Sequence, residues 1–389
     1  MTAAASGGAV ETADDLRRAL GDWLDGVLTP EIVALGQLQP TDDTIDGLRA
    51  WNRELADAGW AAPAWPTEHG GRDAGIDGQI AYLEVMSERA APGPVNTIGV
   101  ANIAPAIMHY GTDEQKDRFL RPLLRGDEIW SQGMSEPDAG SDLAALRTSA
   151  VADGDSFVVN GQKTWNSLGH YADWCQLYVR TDPTSSKHKG LSCLLVDLHS
   201  DGVVERPITT IAGGESFSEL FFSDVRVPRS ALLGPQDQGW TVAMTTLSFE
   251  RAGVARLHLT LARRLAEILA APGVGDALRD PVLRQRVAGV HSDIACMRWM
   301  TNRSFAQMRH GQPTGVSGSL TKLAWARADQ RLASLAVDLL GAEGMLEGPW
   351  STNLASARQT SIAGGTTEIN LNIVGEHGLG LPREPREKG

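Results

Sequence analysis

Asn160-Gly-Gln-Lys-Thr-Trp-Asn-Ser-Leu-Gly169 stands near the middle of a chain whose texture is helical on either side of it. Residues 156–159 before it and 163–165 within it read as strand. Asn160-Gly161 between them is a strong hairpin signal. Working outward, further strands are expected at 174–180, 191–198 and 219–227, closed by Pro228 and Gly234. Towards the N-terminus, Leu16, Leu20 and Leu24 recur at helical spacing, as do Leu48, Trp51 and Leu55, ending near Gly59. The Pro- and Gly-rich run 63–78 reads as loop, and helix resumes at 79–89 and 113–124. Towards the C-terminus, Phe249, Val254, Leu257, Leu261, Leu265 and Ile268 share one stripe, with more helix at 281–310 and 317–340. Helices, then strands, then helices point to segregated layers and an α+β fold, not to alternating βαβ units. The expected parts are a disordered start at 1–12, a helical domain at 13–127, a barrel-like β-domain at 128–235 and a helical bundle domain at 236–389.

The chain has 389 residues, too many for one core of usual size. With 42% hydrophobic and 21% charged residues it has an ordinary globular composition. A formal charge of -13 gives no basic footprint for nucleic acid. Cys175, Cys193 and Cys296 lie too far apart for a zinc motif or a disulfide scaffold, so no metal is expected and a reducing, cytoplasmic setting fits. The stretch from Met1 to Val10 lacks the features of a signal peptide, and no apolar run is long enough for a membrane span.

The chain has no G-x-G-x-x-G after a strand, no P-loop, no H-E-x-x-H and no G-x-S-x-G. Rossmann, P-loop, zincin and α/β-hydrolase chemistry therefore lose support. What stands out is Met134-Ser-Glu-Pro-Asp-Ala-Gly-Ser-Asp142, whose hydroxyls and backbone N–H groups can bond a polar ligand that Gly140 lets approach. By composition alone the segment is equally a capped turn, with Glu136 and Asp142 as turn acceptors. Trp165 offers a flat face to a planar ligand and Ser167 a hydroxyl at its edge; a core tryptophan is the plainer reading. Lys187-His-Lys189 reads as a solvated loop, with a ligand phosphate as the alternative contact.

Taken together and in order, these two segments resemble the acyl-CoA dehydrogenase family. The resemblance continues through Ala172-Asp-Trp174, Phe221-Phe-Ser-Asp-Val-Arg-Val-Pro228, Gly239-Trp240, Ile362-Ala-Gly-Gly-Thr-Thr-Glu-Ile369 and Leu379-Gly-Leu-Pro-Arg-Glu384, so it spans nearly the whole chain. It implies an N-terminal helical domain, a middle β-domain and a C-terminal four-helix bundle, assembled around FAD as a homo-oligomer, dimer or tetramer, or with a related subunit. It implies that Gln132, Met134, Ser135, Gly140 and Ser141 line the flavin and thioester region. Trp165 would flank the isoalloxazine ring, Ser167 its N5 edge, and Thr366 and Glu368 the adenosine end. Asp338, Gly341 and Ala342 correspond to a loop that reaches a neighbouring subunit's FAD. The family pattern there is Q-x-x-G-G, so Asp338 and Ala342 depart from it, and the R-x-x-F-G segment before it is not recognisable.

The implied reaction removes an α-proton and a β-hydride from an acyl-CoA, giving the 2,3-enoyl thioester, with an electron-transfer flavoprotein as onward acceptor. It needs a carboxylate within hydrogen-bond reach of the α-carbon. Many relatives carry it in Tyr-Glu-Gly-Thr, which here reads Ala363-Gly-Gly-Thr366. A subset resembling isovaleryl- and long-chain acyl-CoA dehydrogenases carries it in a Glu-Arg pair starting the first bundle helix, here Glu250-Arg251. Glu250 is the expected base, Arg251 a substrate-side contact, and the backbone N–H of Gly364 a donor to the thioester carbonyl. The alternatives are a carrier-protein thioester as substrate, a flavin monooxygenase on the same fold, and an accessory subunit completing a partner's cofactor site.

Overall fold

Thr12 opens the first helix, α1 (Ala13–Val27), by accepting a hydrogen bond from the backbone N–H of Asp15 at 3.1 Å. Leu16, Leu20 and Leu24 then fall on one face and are fully buried against α4 (Ile76–Glu88). The computed structural model describes residues 12–36, 40–253 and 257–383, without the side chains of 249–253. Between these helices lie α2 (Pro30–Leu35) and α3 (Ile45–Asp57), and α5 (Ala104–Tyr110) and α6 (Asp113–Arg125) follow them. Helix α3 buries Leu48, Trp51 and Leu55, and the chain turns at Gly59 with φ 75°. A reciprocal Thr112–Gln115 capping box starts α6, and Gly126 in the left-handed region ends it.

Seven strands follow: β1 (Trp130–Gly133), β2 (Ser149–Asp153), β3 (Ser156–Ser167), β4 (Trp174–Arg180), β5 (Leu191–Asp197), β6 (Val203–Ile208) and β7 (Phe217–Pro228). They form one curled sheet in the order β1-β4-β2-β3-β7-β6, with β5 paired to β4. Phe119 of α6 sets its ring edge-on to the stacked pair Trp130 and Trp174, joining the N-terminal helices to the sheet.

The hairpin expected at Asn160-Gly161 is not there. The chain reverses earlier, over Gly154 and Asp155 between β2 and β3, where Asp153 pairs with Ser156 and Gly154 has φ 57°. At Asn160, β3 runs straight on. The Asn160 side chain instead bonds the backbone N–H and the carboxylate of Asp224, both at 2.9 Å. That fixes a bulge in β7, where the register slips between Val159 and Gly161. Gly161 is required by closeness, since a Cβ there would lie 2.5 Å from the Thr148 hydroxyl. The Asn-Gly signal marks a tight crossing of two backbones, not a reversal.

After the sheet come α7 (Gly239–Gly253), α8 (Leu257–Ala270), α9 (Val274–Ala277), α10 (Pro281–Arg309), α11 (Ser317–Leu340), α12 (Pro349–Ser356) and α13 (Thr367–Ile373). Leu261, Leu265 and Ile268 of α8 bury against Ile294, Met297, Leu332 and Leu335 of α10 and α11. In the expected stripe Leu257 is half-buried, while Phe249 and Val254 lie outside the described residues. The described hydrophobic residues divide into one core under the N-terminal helices, one within the sheet, one in the C-terminal helices and a small fourth around Ile45, Leu48, Val95, Ile129 and Ala172. Val242 and Ala243 of α7 belong to the first. Among the described residues no helix is long and apolar enough to cross a membrane.

Candidate active site

The loop from Met134 to Asp142 leaves β1 and is fastened to β3 at its base. The Ser135 carbonyl accepts from the Thr164 N–H at 2.9 Å. Glu136, only 8% exposed, accepts from the backbone N–H groups of Arg147 (2.6 Å) and Thr148 (2.9 Å) and from Lys163 Nζ (2.8 Å). Lys163 is wholly buried and also donates to the Met134 carbonyl at 3.1 Å. Burial works to raise the Glu136 carboxyl, but the Lys163 charge and the three donors outweigh it and hold it below the usual range. Burial pulls the Lys163 ammonium below its ordinary value, although the carboxylate beside it opposes that. Glu136 thus serves the loop as a structural acceptor, while Gly140 and Ser141 at its tip are exposed.

Trp165 stands at a second bulge, where Thr164 and Trp165 together face Glu219 of β7. Its backbone has φ 62°, a region costly for a bulky residue, and its ring is 59% exposed, edge-on to Phe217 at 5.9 Å. The bulge therefore turns a large aromatic face out of the sheet instead of into its core. Ser167 ends the same strand, and its carbonyl accepts from Ser131 Oγ at 3.0 Å. Gln132 Nε2 is buried and has no partner among the described residues. An outward-turned ring and an unmet buried donor both suit a planar ligand with polar edges.

A second group lies on the C-terminal helices. Thr366 caps α13, accepting from the Ile369 N–H at 3.2 Å. The carboxyl of Glu368, in the first turn of α13, is held low by its own backbone N–H and by the Thr366 hydroxyl. Gly364 and Gly365 before them are exposed, with φ 64° and 86°. At the end of α11, Asp338 pairs with Arg286 of α10, and Gly341 and Ala342 are exposed. Nearby a cavity of about 570 Å³ is lined by Arg286, Arg327, Arg331, Arg358 and Thr367. Arg331 is paired with Asp293, and the structure records no partner for Arg327 among the described residues. Such guanidinium forks suit phosphate oxygens.

The structure brings Gln132, Met134, Ser135, Gly140, Ser141, Trp165 and Ser167 to one rim of the sheet, and Asp338, Gly341, Thr366 and Glu368 to α11 and α13. No hydrogen bond or ion pair joins the two groups among the described residues. Glu250 and Arg251 belong to α7 in backbone; their side chains lie outside the described residues. The basic loop is exposed to solvent, as expected, with Lys187 paired to Asp142 at the surface and the His188 ring 4.5 Å from Trp240. Sequence reading missed Lys163 and the four arginines; Arg327 and Arg331, one helical turn apart, were the available signal.

Models of the acyl-CoA dehydrogenase N-terminal, middle and C-terminal domains match residues 11–127, 131–225 and 237–379. The acyl-CoA dehydrogenase IpdE1 of Mycobacterium tuberculosis is 37% identical over 387 residues, covering 97% of this chain and 100% of that one. The chain belongs to the acyl-CoA dehydrogenase family. The solved structure named "Tcur3481-Tcur3483 steroid ACAD" is similar with a TM-score of 0.85 and 29% identity, covering 96% of this acyl-CoA dehydrogenase and 98% of that chain. The ChsE4-ChsE5 complex from Mycobacterium tuberculosis has a TM-score of 0.79 and 29% identity, covering 99% and 100%. The family resemblance and the three-domain α+β fold expected from sequence are both borne out, and the protein is an acyl-CoA dehydrogenase, an oxidoreductase and a flavoprotein.

Proposed function

We propose that this dehydrogenase binds FAD and oxidises a bulky, ring-bearing acyl-CoA to its 2,3-enoyl thioester, with Glu250 as base and a second related chain completing the site. The observation that carries the reading is Trp165, its ring held outward at a bulge where its backbone is left-handed. On this reading Gln132, Met134, Ser135, Gly140, Ser141, Trp165 and Ser167 hold the isoalloxazine half. Thr366, Glu368 and the arginine-lined cavity suit the adenosine diphosphate half. FAD, when bound, supplies the acceptor for the β-hydride. Glu250 takes the α-proton, Arg251 orients the thioester, and the Gly364 N–H polarises its carbonyl as negative charge develops. Gly364 has no side chain to act as base itself, which supports the assignment to α7.

The separation of the two groups of residues supports an oligomeric site, as do the exposed Met345, Leu346, Ile362 and Leu371 on the C-terminal helices and loops. Two-component relatives, one named a steroid enzyme, support a related partner chain and a polycyclic acyl group. An electron-transfer flavoprotein is the proposed onward acceptor.

The test is anaerobic titration of the chain, alone and with a related partner, with acyl-CoA esters of increasing bulk while the visible flavin band is followed. Ring-bearing esters should bleach it best; a yellow protein that none of them bleaches would sink the reading. Glu250→Gln should keep FAD and slow single-turnover bleaching about a hundred-fold or more. Undiminished bleaching would remove Glu250 from the mechanism.

A further inference from the structure

Two consecutive threonines on α7 carry hydrogen bonds to opposite sides. Thr245 Oγ1 meets the Tyr110 hydroxyl of α5 at 2.8 Å. Thr246, fully buried, meets β4: its Oγ1 accepts from Gln176 Nε2 at 3.3 Å, lies 3.1 Å from the Tyr178 hydroxyl, and donates to the Val242 carbonyl at 3.1 Å. A hydroxyl has one proton and two lone pairs. Since the Thr246 proton goes to Val242, Tyr178 must donate to Thr246, and every bonding capacity of that oxygen is used. Gln176 and Tyr178 are themselves buried, and the rest of this seam is apolar, with Val242, Ala243 and Leu195. A buried hydroxyl with every bond made, set in an apolar seam, fixes the register between elements that apolar packing alone leaves free to slide. The bond back to Val242 also tends to bend the helix at this turn.

Position 250 lies one turn beyond Thr246 on the same helix. At its other end the network reaches the cofactor rim: Gln176 is the register partner of Gln132 across β1 and β4. Gln176 Oε1 and Gln132 Nε2 are both buried without partners among the described residues, an acceptor and a donor on adjacent strands.

We infer that Thr246, held by Gln176 and Tyr178, is a positioning residue that sets the register of α7 and so the placement of the base at 250 against the cofactor rim. The inference rests on the reading of Glu250 as base. Thr246→Val keeps the shape and removes the hydroxyl; Thr246→Ser keeps the hydroxyl and removes the methyl. In the flavin-loaded full-length protein, with its partner chain if one is needed for loading, Thr246→Val should slow single-turnover flavin reduction by about ten-fold or more, because small misplacements of a catalytic group are costly. Its FAD content and acyl-CoA Kd should be unchanged, and Thr246→Ser should restore the rate. Tyr178→Phe removes the same bond from the sheet side and should reproduce the slowing, which keeps the test alive if Thr246→Val does not fold. A wild-type rate in both Thr246→Val and Tyr178→Phe would overturn the inference, as would a Thr246→Ser variant as slow as the valine. Glu250→Gln is run beside them. If it reduces flavin normally, the base reading fails and this inference falls with it; if it is inactive while Thr246→Val and Tyr178→Phe are fast, only the positioning role fails.

Discussion

Changing Glu136 to glutamine removes the one negative charge recorded against the wholly buried Lys163 ammonium and leaves it only neutral acceptors, the Met134 carbonyl among them. Its cheapest escape is to lose the proton. At neutral pH that costs up to about 4.6 kcal/mol, from ~1.36 kcal/mol for each of the ~3.4 pH units below the ordinary lysine value. Changing Lys163 to methionine strands the carboxylate instead. Neutralising that group from its ordinary value costs at most about 3.7 kcal/mol by the same reckoning. The true cost should be lower, because the Arg147 and Thr148 N–H groups still stabilise the charge. Glu136→Gln should therefore be the more damaging change, and the two should respond to pH in opposite ways. The lysine, already pulled down by burial, sheds its proton more easily as pH rises, so the glutamine variant regains stability towards about pH 9. The stranded carboxylate gains a proton as pH falls, so the methionine variant loses least, relative to wild type, near about pH 5. Urea-unfolding midpoints, followed by tryptophan fluorescence at several pH values, measure this. Equal losses with parallel pH profiles would refute the claim that the pair is a buried ionic fastening of the loop.

Trp165→Gly should release backbone strain and raise the stability of the flavin-free protein by about 1 kcal/mol while lowering FAD retention. Thermal melting with and without added FAD reads both effects, and a variant that keeps FAD as tightly as the parent would contradict the assigned face. Gly161→Ala should cost about 1–3 kcal/mol, because its new methyl group meets Thr148 where the backbones cross. A shift in the urea midpoint tests it, and no shift would mean that the crossing is looser than described.

The long helices were legible because their signals are local. Asp280 and Pro281 announce the start of α10, and Leu261, Leu265 and Ile268 repeat on one face of α8. Strands β4 and β5 show as largely apolar runs, and β7 as alternating buried positions ahead of Pro228. Strands β1, β2 and β6 are short and carry Ser, Gln, Asp and Glu, so nothing in their texture separates them from loops. Asn160-Gly161 misled because the same two residues satisfy a type I′ turn and a close backbone crossing, and only the distant Thr148 and Asp224 decide between them. At the site, the family motifs singled out the residues of the sheet rim. Lys163 was hidden inside one of them, because its partner Glu136 lies 27 residues away. The arginine cavity draws on residues from 286 to 367, a combination that only the packing of α10, α11, α13 and the chain before α13 creates.

The described hydrophobic residues form four clusters, and the polar side chains of the candidate site stand at their margins, with Met134 packed against the first. The parts of the site meet across joints: α7 against β4, the 134–142 loop against β3, α13 against α11. Substitutions deep in any one core can change how firmly that body holds together and leave the geometry of the chemistry as it was. A change at a joint can shift a reacting group by a fraction of an ångström with no mark on the melting curve. For this architecture, durability and catalytic tuning are written in different sets of residues, and each can drift in evolution without dragging the other along.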